Sequence, residues 1–193
     1  MGRVRMVFGV ALGAAAAASG AALVVRGDLA VDLGWGRRMR PLGPLFVDIA
    51  APRQAVFEVV SAPYLKRTPR ALAPKLRVLE RGRDMVLAAH YTPAAAGLVA
   101  TTVETVRFTP PERVDFRLVR GPVPYVEEAF LLSELESGTR LEYRGELGTD
   151  LWAFGRWWGR LVARRWETVV ANSLESIRTE AERRGGQVGA HRA

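Results

Sequence analysis

From Leu45 to Gly148 apolar and polar positions alternate in short runs, and after Asp150 the spacing changes to that of a helix. "LFVDIAA" sets Leu45, Val47 and Ile49 against Phe46, Asp48 and Ala50, the period of two that marks a strand with one covered face. Pro52 then stands where a helix accepts proline, and "PRQAVFEVV" puts Ala55, Val56, Val59 and Val60 at helical spacing until Ser61-Ala62-Pro63 closes the segment. Pro69 and Pro74 allow at most one more helical turn in the basic loop that follows. Six extended segments come next: Leu76–Arg81, Asp84–Tyr91, Leu98–Thr109, Arg113–Arg120, Tyr125–Glu136 and Thr139–Gly148. They are separated by "RGRD", "TPAAAG", "TPPE", "RGPVP" and "ESGT", short turns that make antiparallel neighbours.

The last strand alternates most regularly, with Leu141, Tyr143 and Leu147 on one face and Arg140, Glu142, Arg144 and Glu146 on the other, so one side of the sheet is wet and the other is covered. The cover is supplied by the C-terminal segment. Asp150 is a suitable N-cap, and no proline interrupts Leu151 to about Arg184, where Gly185-Gly186 predicts the end of the helix. At one residue per 100°, Leu151, Phe154, Trp158, Leu161, Val162, Trp166 and Val169 form a stripe, with Arg156, Arg160 and Arg164 on the far side. This predicts that Trp158 and Trp166 face the sheet, that Trp152 and Trp157 lie on the flanks, and that the arginines are solvated.

A strand, short helices, six strands and a long terminal helix follow the order of the helix-grip fold. "VDIAAPRQAVFEVV", "PERVDFRLVRG" and "GTRLEYRGEL" carry this likeness, and Leu45–Arg184 resembles the SRPBCC superfamily, the START and birch-pollen-allergen-like proteins that include polyketide cyclases and coenzyme Q-binding proteins. The resemblance implies an α+β domain in which a curved, seven-stranded antiparallel sheet grips the C-terminal helix. It also implies a cavity between them that commonly holds a lipid, sterol, polyketide, isoprenoid or similar apolar molecule. None of the three stretches is a catalytic motif.

Met6–Val25 is a run of 20 residues without a charge, bracketed by Arg3 and Arg5 on one side and Arg26 on the other. Its length suits a bilayer, although eight alanines and three glycines leave it weakly apolar. Residues 1–26 therefore read as a single-pass membrane anchor, with a cleaved signal peptide ending near Ala18-Ser19-Gly20, and hence secretion, as the alternative. Arginines on both flanks leave the orientation open. Residues 27–44 are a Gly/Pro/Arg linker whose Arg37, Arg38 and Arg40 suit anionic headgroups and whose Trp35 suits the interface. Residues 45–184 form the domain, and 185–193 a disordered tail.

Composition narrows the chemistry. The chain has 193 residues and a net charge of +8, which falls mostly on the two ends: 45–149 holds 14 basic and 13 acidic residues. The one basic cluster in that body, Lys66, Arg67, Arg70, Lys75, Arg77, Arg81 and Arg83, reads as a solvated loop, and nucleic acid is not an expected partner. Cysteine is absent and only two histidines occur, so neither a metal nor a cofactor is expected. There is no phosphate loop or nucleophile elbow, and no residue is assigned as catalytic.

The candidate ligand-binding residues are Phe116, Glu128, Phe130, Tyr143, Trp158, Leu161, Val162, Arg165 and Trp166. Glu128 shares a strand face with Val126 and Phe130, Glu104 shares one with Val106 and Phe108, and Arg165 lies within the tryptophan stripe as a partner for either carboxylate. His90 sits on a strand whose faces the sequence does not assign. Three functions stay open: a membrane-tethered binding protein for a hydrophobic small molecule or lipid, a cyclase- or aromatase-like enzyme, and a membrane-anchored interaction module with a filled interior. Oligomeric state is not legible.

Overall fold

The computed structural model describes residues 19–66, 68, 72–94 and 97–190, with side chains up to residue 186. Most of the Met6–Val25 run, together with Arg67 and Arg70 of the basic loop, lies outside the described residues. Residues 19–26 are helical, and no helix among the described residues is long and apolar enough to cross a membrane.

Seven antiparallel strands form one sheet: β1 (Arg38–Ile49), β2 (Leu76–Arg81), β3 (Met85–Pro93), β4 (Val99–Thr109), β5 (Arg113–Arg120), β6 (Tyr125–Leu135) and β7 (Gly138–Thr149). Helix α1 (Arg53–Leu65) follows β1, and α2 (Trp152–Ala190) follows β7. The order across the sheet is β1-β7-β6-β5-β4-β3-β2, so every turn after β2 joins neighbours and β1 closes onto β7. Leu141, Tyr143 and Leu147 of β7 are each about 1% accessible or less and form the floor beneath α2. This is the expected α+β, helix-grip-like arrangement.

Four local expectations are corrected. β1 starts at Arg38, not Leu45, because an extra residue between Leu42 and Leu45 shifts the register against β7 and breaks the alternation that would have revealed the strand. α1 runs through Ser61-Ala62-Pro63 to Leu65, since a proline in the last turn costs only one backbone bond there. α2 continues through Gly185-Gly186 to Ala190.

The fourth correction concerns Asp150, which does not cap α2. Its carboxylate accepts the Leu33 and Gly34 N–H groups at 2.7 and 2.9 Å and pairs with Arg37 at 2.8 Å. The linker is thereby folded as a strap over the β7–α2 corner. Leu151 and Trp152 donate backbone bonds to the carbonyls of Trp35 and Gly36. Gly36 has φ +60°, and a Cβ there would lie 2.3 Å from the Trp152 indole, so both conformation and space call for glycine.

The face that α2 buries is rotated from the expected one by about one residue, or roughly 100°. Gly155, Gly159, Ala163, Val170, Leu174 and Ala181 face the protein, while Phe154, Leu161 and Val169 are 62, 53 and 37% exposed. Small residues win because they let the helix approach closely: a Cβ on Gly155 would meet the Asp150 carbonyl at 1.7 Å, and one on Gly159 would meet Thr149 at 3.1 Å. The Thr149 hydroxyl donates to the Gly155 carbonyl at 2.8 Å and fixes that approach.

Candidate functional site

The register of β3 to β7 turns even-numbered residues of β4, β5 and β6 toward the helices. Ala88 pairs with Glu104, Glu104 with Leu118, Val106 with Phe116, and Phe116 with Glu128. His90, two residues from Ala88, shares that inner face. The sheet therefore carries one histidine and two carboxylates inward, with one strand between Glu104 and Glu128.

The first group sits where α1 meets β3 and β4. Val56, Val60 and Tyr64 fall four apart on α1, so the face that enters the core delivers the Tyr64 hydroxyl to His90 Nε2 at 3.0 Å. On the other side of the ring, Nδ1 lies 3.1 Å from Glu104 Oε2. That contact is off the line of the ring N–H, so Nδ1 is held by charge more than by a directed hydrogen bond. Burial disfavours the charged ring, but Glu104, with a smaller contribution from Glu128, outweighs it and raises the His90 pKa above its ordinary value. Burial likewise works against ionised Glu104, and His90 with the Thr102 hydroxyl reverses it, holding Glu104 below the usual carboxylate range. Both shifts favour the imidazolium–carboxylate form of the pair, and the Tyr64 phenol that caps it has its own pKa raised, first by burial.

The second group sits where β6 and β7 meet α2. The Tyr143 hydroxyl and the Trp166 indole N–H both donate to Glu128 Oε2, at 2.6 and 2.7 Å. Burial, followed by the charge of Glu104, pushes the Glu128 carboxyl up to about 8 despite those two bonds. At neutral pH Glu128 is mostly a neutral acid. With Oε2 taken by two donors, its proton belongs on Oε1, which has no hydrogen-bond partner among the described residues. The site thus presents one free O–H donor to the interior.

Around these groups runs a chain of rings. Tyr64 meets Phe108 and Phe116 at centroid distances of 6.1 and 5.9 Å, Phe116 meets Phe130 at 5.6 Å, and Phe130 meets Tyr143 at 5.8 Å. Tyr64, Phe108, Phe130, Trp158, Val162 and Trp166 point inward yet are only partly buried, and the His90 side chain keeps 23% of its surface accessible. These groups are packed against the core without being fully covered. An open trough of about 1030 Å³ lies on the outer face of the sheet, and Phe116 and Glu128 of the site are among its lining residues. Arg107, Asp115, Arg117 and Glu127 are among its lining residues, and Arg117–Glu127 and Arg113–Asp115 pair there. It contains neither His90 nor Glu104.

Of the residues expected to line the site, Phe116, Glu128, Phe130, Tyr143, Trp158, Val162 and Trp166 come together on the inner side. Leu161 and Arg165 do not: both are exposed, because the buried face of α2 is rotated away from them, and Arg165 pairs with neither carboxylate. Glu104 takes His90 instead, and Glu128 takes Tyr143 and Trp166. Tyr64 and the inward direction of His90 were missed. The four-residue spacing of Val56, Val60 and Tyr64 was a usable signal for the first; the second needs the β3–β4 register.

No family model matches the chain, and no curated protein matches it. Similar solved structures exist. Zhui aromatase/cyclase from Streptomyces sp. R1128 has a TM-score of 0.56 at 19% identity, over 76% of this chain and 96% of that one. KanY protein gives 0.56 at 16% identity, over 76% and 99%. Ara h 8.0201 gives 0.53 at 10% identity, over 76% and 98%. Identities this low establish a shared fold, and that fold is the helix grip of aromatase/cyclases and birch-pollen-allergen-like proteins.

Proposed function

We propose that this chain binds an apolar small molecule with a hydrogen-bond acceptor at one end, held between the inner face of the sheet and α2, and that Met6–Val25 tethers it to a membrane. The observation that carries the binding role is Glu128: a mostly neutral carboxyl with one oxygen taken by Tyr143 and Trp166 and the other unpartnered, among partly accessible aromatic rings. Pockets for apolar ligands have this composition, a ring-lined wall and a few polar groups that orient one end. The Glu128 O–H suits a carbonyl or ether oxygen, and the His90–Glu104 pair, one strand away, suits a second polar atom. The known aromatase/cyclase with the same fold is consistent with such a ligand.

A second reading is acid–base catalysis on the bound molecule. The Tyr64–His90–Glu104 chain favours it, because a charged imidazole between a phenol and a carboxylate can pass a proton to or from a ligand group. The test separates the two. The chain from Asp28 onward, which retains the Arg37–Asp150 strap, is extracted with organic solvent and the extract examined by mass spectrometry. It is then titrated with a quinone, a long-chain lipid and an aromatic polyketide, with tryptophan emission as the signal. A saturable response that Glu128→Ala weakens supports binding; turnover abolished by His90→Gln supports catalysis. No response to any class refutes both.

A further inference from the structure

The first half of α2 has two apolar faces. Gly155, Gly159 and Ala163 face the sheet, and the opposite side carries Phe154, Trp157 and Leu161, at i, i+3 and i+7 and 62, 53 and 53% exposed. The Phe154 and Trp157 rings are 5.8 Å apart. The strap adds to this corner, because Trp35 is joined through its carbonyl to Leu151 and Gly36 lies under the Trp152 indole. Trp35 is 70% exposed and Trp152 56%. Single exposed apolar residues are ordinary on any protein; several exposed aromatic rings gathered at one end of a helix mark an interaction surface.

The charges around it are as uneven. Arg156, Arg160, Arg164 and Arg165 are exposed and form no ion pair among the described residues. Farther along the same helix Arg178 pairs with Glu175, and Arg183 and Arg184 pair with Glu180. Within α2, the arginines without an ion pair among the described residues therefore all lie in its aromatic half.

We infer that this corner, formed by the strap and the first half of α2, docks on the surface of an anionic lipid bilayer. Indole rings are at home in the interfacial layer, a helix with an apolar outer stripe beds into it, and guanidinium groups pair with headgroup phosphates. A second copy of the chain fits less well, since a two-fold contact through this corner would set unpaired arginines against one another. Chain continuity points the same way: the strap leads back through the helical turns of 19–26 to the uncharged Met6–Val25 run. Trp157 lies 6.3 Å from Trp158, whose indole N–H bonds the Pro122 carbonyl at 2.8 Å, so the docked corner adjoins the aromatic wall of the interior. The inference does not require that interior to hold a ligand.

The test reconstitutes the full chain into phosphatidylcholine vesicles, with and without phosphatidylglycerol, whose acyl chains carry bromine near the headgroup. Bromine quenches tryptophan at close range. Strong quenching in the anionic vesicles is expected, weakened by Arg156→Glu/Arg160→Glu/Arg164→Glu. Most of it should disappear in Trp35→Phe/Trp152→Phe/Trp157→Phe, a conservative change at exposed positions whose fold near-ultraviolet dichroism can verify. Three results would overturn the inference. One is an unquenched wild-type chain that nevertheless sediments with the vesicles, which leaves tethering alone. Another is quenching undiminished in the triple phenylalanine variant. The third is a lipid-free dimer that Leu161→Arg dissociates, which assigns the corner to a protein contact.

Discussion

Glu104 and Glu128 project from the same face of the same sheet, with one strand between them, and their pKa values are shifted in opposite directions. At the α1 end, Glu104 has a basic partner within 3.1 Å and ionises more readily than an ordinary carboxylate. At the α2 end, Glu128 has two neutral donors and no cation, and burial makes it a weak acid. At Glu128 two neutral donors only soften the cost of burial, whereas at Glu104 the charge of His90, helped by Thr102, reverses it. The interior therefore carries an ion pair at one end and a free acid at the other from identical side chains, a polarity that orients an asymmetric ligand.

Removing the ion pair should have the largest effect. Glu104→Ala leaves the His90 imidazolium buried without its counterion and should cost about 3 kcal/mol at pH 5, read by urea denaturation. The cost should shrink as pH rises through the His90 pKa, which lies above its ordinary value. A cost that does not change with pH would mean that His90 is not charged, and the contrast between the two ends would collapse.

Glu128 should appear next, in the pH dependence of stability. In the folded chain it keeps its proton up to about pH 8, whereas the unfolded chain releases it near 4.5, so unfolding between those values releases a proton and stability falls as pH rises. His90, also raised, adds to the same slope above its ordinary value of 6.5, while Glu104 acts in reverse and loses its contribution only as pH falls below 4.5. Glu128→Gln, which keeps an acceptor for Tyr143 and Trp166 and never ionises, should flatten the curve between pH 5 and pH 8 by on the order of 3 kcal/mol. An unchanged slope would assign it to His90 alone.

Smaller again are the donors. Tyr143→Phe and Trp166→Phe should each cost about 1 kcal/mol. Because both bonds lower the Glu128 pKa, either change should move its titration further upward; a downward shift would show that burial is not the dominant cause. Smallest are Arg165→Ala and Leu161→Ser on the solvent side of α2, each within about 0.5 kcal/mol of the parent in solution. A loss several times larger at Arg165 would restore the buried pairing that the sequence suggests and this geometry does not.

Strand order, turn positions and the long terminal helix were legible because each depends on local periodicity. Six of the seven strands lie within about two residues of where alternation puts them, and β1 alone was shortened, at the bulge where alternation fails. The site was legible in part. Phe116, Phe130 and Tyr143 could be assigned inward by period two, but the contacts of Glu104 with His90 and of Glu128 with Trp166 depend on register and on how close α2 comes. Hydrophobicity favoured the bulky stripe of α2 as its buried side. Close approach favoured Gly155, Gly159 and Ala163, and the aromatic residues left outside made the corner that faces away from the sheet.

The most direct test of the central claim is a carboxyl-carbon NMR titration of the chain labelled at glutamate side chains, with Glu104→Gln and Glu128→Gln used for assignment. The account predicts that the Glu128 signal titrates near pH 8 and the Glu104 signal below 4.5, so that across the neutral range one carboxyl is an acid and the other an anion. Two carboxyls titrating together near 4.5 would contradict it, because the interior would then present two carboxylate charges and no neutral carboxyl to donate to a bound ligand.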